Sequence, residues 1–255
     1  MLEWPCYQGA AYLFESYGAT VRPVPVDEHG LDTARLPDGT ISLAYVAPSH
    51  QYPLGSTLAL ERRIRLLEWA WEVGAYIVED DYDSDFRYSG SPLTALAGLD
   101  ACGAVIYLGT FSKSIGGKFT AGLYGVLPAE LVEPAQIAKA LLDNGQPWLE
   151  QAVLADFIAN GSYANHLRRI RQLYRQQRDC LVAALTTISA RCGSAGWKAA
   201  CTLSGICRRS CLMRRRCKRW HCRPGSGFTR WTVALPQISI NPATAKKPYY
   251  WAIHP

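Results

Sequence analysis

The fold is decided by one stretch of the sequence, Ala75-Tyr76-Ile77-Val78-Glu79-Asp80-Asp81-Tyr82-Asp83-Ser84-Asp85-Phe86-Arg87-Tyr88. Its first four residues are apolar, and the remainder is strongly acidic. This pattern is typical of a strand that is buried on both faces of a sheet and ends at a polar edge. Residues 41–47 and 104–110 have the same character. We therefore predict three parallel strands, at residues 41–47, 75–80 and 104–110.

Longer segments with apolar residues at helical spacing lie between and after these strands. In residues 57–73, Leu60, Ile64, Leu67 and Trp71 recur every three or four positions. Further helices are predicted at residues 129–142, 148–159 and 163–185. Strands that alternate with helices predict a three-layer α/β domain with a mainly parallel sheet. Ligands of such sheets bind beyond the carboxyl ends of the strands.

Each of the three strand ends carries polar groups: residues 48–52, the acidic run, and Thr110-Phe111-Ser112-Lys113-Ser114. A lysine beside the end of a buried strand can lose part of its hydration, which favours the neutral amine that a Schiff base requires. The neighbouring hydroxyls could receive a phosphate. Taken singly, each feature also has an ordinary explanation: a surface lysine, a solvated acidic turn or metal site, and a loop histidine.

Composition divides the chain into two unlike parts. Residues 1–190 contain 14 Lys+Arg against 21 Asp+Glu, whereas residues 191–255 contain 13 Lys+Arg and no acidic residue. Six of the nine cysteines and four of the eight tryptophans lie in the second part. The hydrophobic fraction of 49% excludes wholesale disorder. No apolar run reaches the roughly 20 residues of a membrane span, and no signal-peptide pattern is present, so we expect a cytoplasmic protein.

Four segments together resemble the aminotransferase-like domain of the MocR group of regulators, which is similar to fold-type I pyridoxal-phosphate aminotransferases. They are Glu3-x-Pro5-x-Tyr7, Ser49-His50-Gln51-x-Pro53-x-Gly55, residues 79–88, and Gly109-Thr110-Phe111-Ser112-Lys113. The resemblance covers residues 1–185, which it identifies as a partial large domain of this fold. It implies pyridoxal 5'-phosphate as the cofactor and no metal.

The resemblance also implies cofactor contacts for a set of side chains at the strand ends: Tyr7, Ser49, His50, Asp80, Tyr82, Thr110, Ser112 and Lys113. Lys113 would be the internal-aldimine lysine and the acid/base. Asp80 would pair with the pyridine nitrogen, whose protonation makes the ring an electron sink. Tyr82 would bind the ring oxygen, and Tyr7 would stack on the ring. Thr110 and Ser112 would bind the phosphate. The loop at residues 49–51 would line the ring edge.

The sequence departs from the family at two places. Where the family has a phosphate-binding arginine, this chain has Thr120, and Lys118 could substitute only as a point charge. The family's winged-helix DNA-binding domain and an earlier glycine-containing phosphate loop have no counterpart in the sequence, so DNA would be bound only through a domain absent from this chain. The resemblance further implies a homodimer, and an amino acid or amine as substrate or effector.

Residues 186–255 are predicted to be a tail without a consistent buried face, disordered or poorly packed. Residues 197–207 can be encoded by codons that, read one base earlier, give a segment resembling the family's own small domain. Residues 246–254 can be encoded by codons that, with the same shift of reading frame, give a segment resembling the family's C-terminal strand. We interpret the tail as a frameshifted small domain. The alternative is a basic tail that binds zinc or nucleic acid. The tail has no C-x-x-C pair, which argues against this alternative.

Three functions remain open from the sequence. The parent protein could be an aminotransferase, or a regulator whose domain senses pyridoxal phosphate or an amino acid. The chain could also be a remnant with neither activity.

Overall fold

The computed structural model describes residues 1–88, 93–116, 122–144 and 148–188, and the backbone of two short strands beyond them. The helices are α1 (Gln8–Ser16), α2 (Leu60–Val73), α3 (Leu96–Leu99), α4 (Ser112–Ile115), α5 (Ala129–Asp143), α6 (Trp148–Ala159) and α7 (Ser162–Ile188). The strands are β1 (Leu2–Trp4), β2 (Pro23–Asp27), β3 (Gly30–Leu31), β4 (Leu43–Val46), β5 (Tyr76–Asp81), β6 (Val105–Thr110), β7 (Leu123–Val126), β8 (Cys192–Ala195) and β9 (Ser204–Cys207).

Seven strands form one sheet in the order β3-β2-β1-β4-β5-β6-β7. The pairs β2–β1, β1–β4, β4–β5 and β5–β6 are parallel, and the outer strands β3 and β7 are antiparallel to their neighbours. The prediction of a mainly parallel α/β sheet is confirmed. Because the chain leaves β1 toward β2 on one side and returns to β4 on the other, the order of the strands reverses at β1. Such a reversal opens a crevice at the carboxyl ends of the strands.

The three predicted strands and four predicted helices are present; α6 has the predicted bounds, and each of the others differs at one end or at both. The helix predicted from residue 57 begins at Leu60, because Ala59 has extended backbone angles of φ −61° and ψ 151°. The additions to the prediction within residues 1–188 are strands β1, β2, β3 and β7 and helices α1, α3 and α4. Strand β1 has only three residues, and β2 contains Pro23 and Pro25, which interrupt the apolar pattern of a strand.

Alternate residues of the central strands face two different apolar layers. Ala44, Val46 and Ile77 pack with Leu66 and Trp69 of α2. On the opposite face, Leu2, Tyr45 and Val78 pack with Ala10 of α1. Asp80 comes two residues after Val78, so it belongs to the α1 face, whereas Glu79 belongs to the α2 face.

Arg63 fixes the start of α2 and the loop after β4. Its guanidinium is buried and donates to the carbonyls of Leu58 at 2.9 Å, Thr94 at 2.8 Å and Pro48 at 2.8 Å. Three carbonyl acceptors replace the water that a buried cation loses. The beginning of the polar loop after β4 is therefore joined to the start of α2.

Beyond α7, β8 and β9 form a two-stranded antiparallel sheet. The predicted boundary at residue 186 falls in the last turn of α7, and most of the predicted tail lies outside the described residues. Its origin by a frameshift stays a prediction, which the nucleotide sequence across the codons for residues 181–191 tests. In the part of the chain that the structure describes, no helix is both long and apolar enough to cross a membrane.

Candidate active site at the carboxyl edge of the sheet

The polar strand ends meet at one edge of the sheet, because β4, β5 and β6 run parallel in adjacent positions. Asp80 and Asp81 end β5, while α4, which carries Lys113, begins two residues after β6 ends at Thr110. The loop that contains His50 comes after β4. Site residues predicted in three segments are thus gathered at one place.

Asp80 is half-buried at this edge and accepts a hydrogen bond from the Tyr45 hydroxyl through Oδ2. Burial raises the pKa of Asp80, and the hydrogen bond from Tyr45 lowers it. The carboxylates of Asp81 and Asp83 raise this pKa further, and the Lys113 ammonium lowers it. Lys113 itself is exposed, and its turn comes after β6, the strand that pairs with β5.

Tyr45 is a site residue that the sequence-based prediction missed. It lies in β4 and is only 8% exposed, with its ring packed edge-on against Phe14. Burial and the neighbouring Asp80 carboxylate both raise the pKa of Tyr45, so its hydroxyl stays a donor. The period-two alternation of the strand was the available signal, because it puts Tyr45 on the same face as Asp80.

His50 lies in a buried pair with Asp83. Nδ1 of His50 is 2.6 Å from Oδ2 of Asp83 and 3.1 Å from the hydroxyl of Tyr82. The rings of His50 and Tyr82 stack with their centroids 5.9 Å apart. Nε2 of His50 is buried and has no hydrogen-bond partner among the described residues. His50 therefore joins the loop after β4 to the acidic turn after β5 and contacts Tyr82 directly.

Lys113 lies in the turn at residues 110–116, which we call the lysine turn. Hydrogen bonds of the Thr110 side chain hold this turn together. Thr110 Oγ1 lies 2.7 Å from the carbonyl oxygen of Gly122 and 2.9 Å from Ser112 Oγ, and it accepts the N–H of Ser112 at 3.1 Å. The side chains of Thr110 and Ser112 are half-buried. Thr120 and Lys118, which bear on phosphate binding, lie outside the described residues.

Helix α7 holds the same turn from outside, through contacts that the sequence-based prediction also missed. His166 Nε2 lies 2.7 Å from the carbonyl oxygen of Ser114, and the Tyr163 hydroxyl lies 3.0 Å from Ser114 Oγ. The Tyr174 hydroxyl donates to the carbonyl of Lys113 at 3.3 Å. No local signal marks such contacts, because about fifty residues separate the partners.

Tyr7 and Ser49 lie at the rim of the edge. Tyr7 is 55% exposed, meets the ring of Tyr52 edge-on with centroids 6.2 Å apart, and is one of the groups that raise the pKa of Tyr45. Its ring covers Gly9, where a Cβ would lie 2.7 Å from the ring. Ser49 is half-buried, and its carbonyl accepts the Thr57 hydroxyl at 3.3 Å.

Two buried carboxylates serve the fold around the site. Glu79 accepts the N–H groups of Leu96 and Ala97 at 2.9 and 3.0 Å, which fixes the start of α3. Glu3 is 2% exposed and accepts the N–H of Ala47 at 3.1 Å, which joins the ends of β1 and β4. Burial raises the pKa of Glu3 to about 7, against the lowering effect of that hydrogen bond.

The side chains at this edge fit pyridoxal 5'-phosphate in chemical type. A half-buried carboxylate, Asp80, faces a hydroxyl donor with one oxygen and can accept a pyridinium N–H with the other. Lys113 lies in the turn after the adjacent strand β6, and Thr110 and Ser112 offer hydroxyls in that same turn. Across the described ranges, no cluster of three His, Cys, Asp or Glu side chains could hold a metal ion.

Comparison with known proteins agrees with this geometry. No family model matches the chain. Over 183 residues it is 39% identical to the uncharacterized HTH-type transcriptional regulator YdeL of Bacillus subtilis, an alignment that covers 72% of this chain and 39% of that protein. It is 40% identical over 182 residues to the probable rhizopine catabolism regulatory protein MocR of Rhizobium meliloti, covering 71% and 37% respectively. The chain thus spans less than half of the length of each regulator.

Solved structures share the fold. Kynurenine aminotransferase of Pyrococcus horikoshii, solved in complex with PMP, aligns with a TM-score of 0.72 and 29% identity over 78% of this chain and 51% of that chain.

Proposed function

We propose that this chain, a homologue of MocR-type regulators and aminotransferases that has the fold of the aminotransferase large domain, binds pyridoxal 5'-phosphate through Lys113 and responds there to an amine or amino acid. The observation that carries the proposal is the placement of two groups at the carboxyl edge of the sheet: Asp80 at the end of β5, and Lys113 in the turn after β6, the adjacent parallel strand. When bound, this cofactor supplies an aldehyde that links to amines and a ring that withdraws electrons.

Different side chains at this edge would bind different parts of the cofactor. Lys113 would hold the aldehyde covalently, and Asp80 would hold the proton of the pyridine nitrogen, since a carboxylate next to a basic nitrogen stabilises the protonated form of that nitrogen. Tyr45 keeps one oxygen of Asp80 occupied, which fixes the direction of the other. Tyr82, oriented by His50, would donate to the ring oxygen. Thr110 and Ser112 would bind the phosphate.

The comparisons support a regulatory role over an enzymatic one. The two regulators are 39% and 40% identical to this chain, and the kynurenine aminotransferase is 29% identical. We therefore propose that the domain senses its ligand for a transcription regulator, with DNA contacted by a different domain and with a homodimer as the working unit. Amino-group transfer at Lys113 is the second candidate function, which the same site chemistry would support.

The experiment is to add pyridoxal 5'-phosphate to the purified full chain, record the absorbance spectrum, reduce with borohydride and map the modified peptide by mass spectrometry. The proposal predicts a new absorbance band and a stable adduct on Lys113. Lys113→Ala should lose both, and Lys113→Arg should lose both while keeping the positive charge. Lys198→Ala is the control, because this lysine lies outside residues 1–185 that resemble the family, and it should keep both.

An adduct spread over several lysines, or none at all, would contradict the proposal and favour a remnant without function. With an adduct on Lys113, addition of amino acids separates the two roles. Conversion to the amine form of the cofactor supports the enzyme, whereas a spectral change without conversion supports the sensor.

A further inference from the structure

The turn that carries Lys113 depends on contacts from outside itself. Helix α4 has four residues, and its own hydrogen bonds join Ile115 N to the Phe111 carbonyl at 2.9 Å and Gly116 N to the Ser112 carbonyl at 3.1 Å. Helices this short are not stable without tertiary support. The contacts that hold α4 therefore determine where the Lys113 amine lies.

His166 of α7 supplies one of these contacts. Its Nε2 lies 2.7 Å from the carbonyl oxygen of Ser114, and a carbonyl can only accept, so Nε2 must carry the proton. The Tyr174 hydroxyl, two turns further along α7, donates to the carbonyl of Lys113 itself. Two consecutive carbonyls of α4 are thus bound by one helix.

Tyr163 supplies a second kind of link. Its hydroxyl lies 3.0 Å from Ser114 Oγ and donates to Asp85 Oδ2 at 3.3 Å. Asp85 belongs to the short 3₁₀ turn Ser84–Phe86, which comes after β5 and its carboxylates. Tyr163 consequently connects the lysine turn to the acidic turn, the two segments that must keep a fixed separation.

Aromatic packing restricts both side chains. The ring of Tyr163 meets Phe111 edge-on at 5.6 Å and Phe157 at 6.1 Å, and Phe157 also contacts the ring of His166 at 5.9 Å. Side chains fixed in this way can hold a neighbouring group in place without rearrangement.

We propose that His166 and Tyr163 are positioning residues for Lys113: through Ser114 and Asp85 they set where the lysine amine lies relative to Asp80. The inference rests on the proposed function, since that function gives the separation of the two groups its meaning. Neither residue is assigned a contact with the cofactor, and both act through the turn that they bind.

The first readout needs no cofactor. Amide hydrogen exchange in the full chain should be about fivefold faster at Ile115 and Gly116 in His166→Ala, because one hydrogen bond is worth about that factor. His166→Gln can place an amide N–H near the position of Nε2 and should restore the exchange of the parent chain.

The second readout is the rate at which pyridoxal 5'-phosphate becomes trapped on Lys113. This rate should fall about fivefold in His166→Ala and in Tyr163→Phe, and should recover in His166→Gln. Tyr12→Phe is the matched control, since Tyr12 lies on the exposed face of α1 and its hydroxyl bonds only Gln8 Oε1 among the described contacts. Its trapping rate should equal that of the parent chain.

Unchanged exchange of α4 in His166→Ala would overturn the inference, as would an equal loss in His166→Ala and His166→Gln. Failure of the parent chain to trap the cofactor on Lys113 would refute the proposed function instead, and the exchange measurement would then decide the positioning role alone.

Discussion

Replacing Glu3 by glutamine should change how the stability of the fold depends on pH. Glu3 is 2% exposed and joins β1 to β4 through the N–H of Ala47. Glutamine keeps an oxygen that can accept this bond but cannot ionise. The two chains therefore differ mainly in the free energy of charging one buried carboxyl.

The direction in which stability changes with pH follows from the direction of the pKa change of Glu3. Burial raises the pKa of Glu3 from 4.5 to about 7 in the folded chain, with a smaller raising effect from the nearby Asp80. Because the folded state binds this proton more tightly than the unfolded state, the free energy of unfolding falls as the pH rises between these two values. At about 1.4 kcal/mol for each pH unit, the loss amounts to about 3 kcal/mol.

The assay is urea unfolding of the parent chain and Glu3→Gln, monitored by tryptophan fluorescence at about pH 5 and about pH 8. The stability of Glu3→Gln relative to the parent should increase by about 3 kcal/mol from the lower to the higher pH. Carboxylates that do not interact with Glu3 are common to both chains and cancel in this difference. Glu15→Gln, at an exposed position of α1, is the control and should show no such increase.

An equal difference at both pH values would refute the reasoning, because it would mean that Glu3 has the same pKa in the folded and unfolded chains.

Three further substitutions test the structure around the site by the same unfolding assay. Arg63→Lys leaves buried carbonyls without donors and should cost about 2–4 kcal/mol; a loss below about 0.5 kcal/mol would contradict the assigned bonds. Gly109→Ala places a Cβ against the ring of Tyr124, its partner in the β6–β7 register, and should cost about 1–3 kcal/mol. Adding Tyr124→Ala should recover part of that loss if the clash is the cause. Tyr45→Phe removes the donor to Asp80 and should raise the pKa of that carboxyl further, at a cost of about 1.5–3 kcal/mol near neutral pH; an unchanged stability would show that the bond is absent.

The sequence is most informative where a buried strand meets polar residues. The strands β5 and β6 lie within one residue of the predicted segments at each end, because a short apolar run beside an acidic or hydroxyl-rich run has few alternative structures. The predicted carboxyl ends of β5 and β6 also indicate Asp80 and Lys113 as candidate site residues. The pattern cannot show how the side chains pair, since His50 in isolation is a loop histidine and its partner Asp83 is in another segment.

Contacts between residues that are far apart in the sequence could not be predicted for a different reason. The sequence of α7 is rich in arginine and glutamine, which predicts a solvated helix and gives no role to His166 or Tyr163. Their contacts with the lysine turn depend on how α7 packs, which local periodicity does not determine. The short strand β1 is not predicted either, although Glu3 at its centre links two strands of the sheet.

The central claim is that Lys113 and Asp80 hold two ends of one pyridine ring. A crystal structure of the full chain grown with pyridoxal 5'-phosphate tests it most directly. We expect continuous density from the Lys113 Nζ to the cofactor and a pyridine nitrogen about 3 Å from an Asp80 oxygen. A cofactor bound elsewhere, or a ring on Lys113 whose nitrogen points away from Asp80, would contradict the claim.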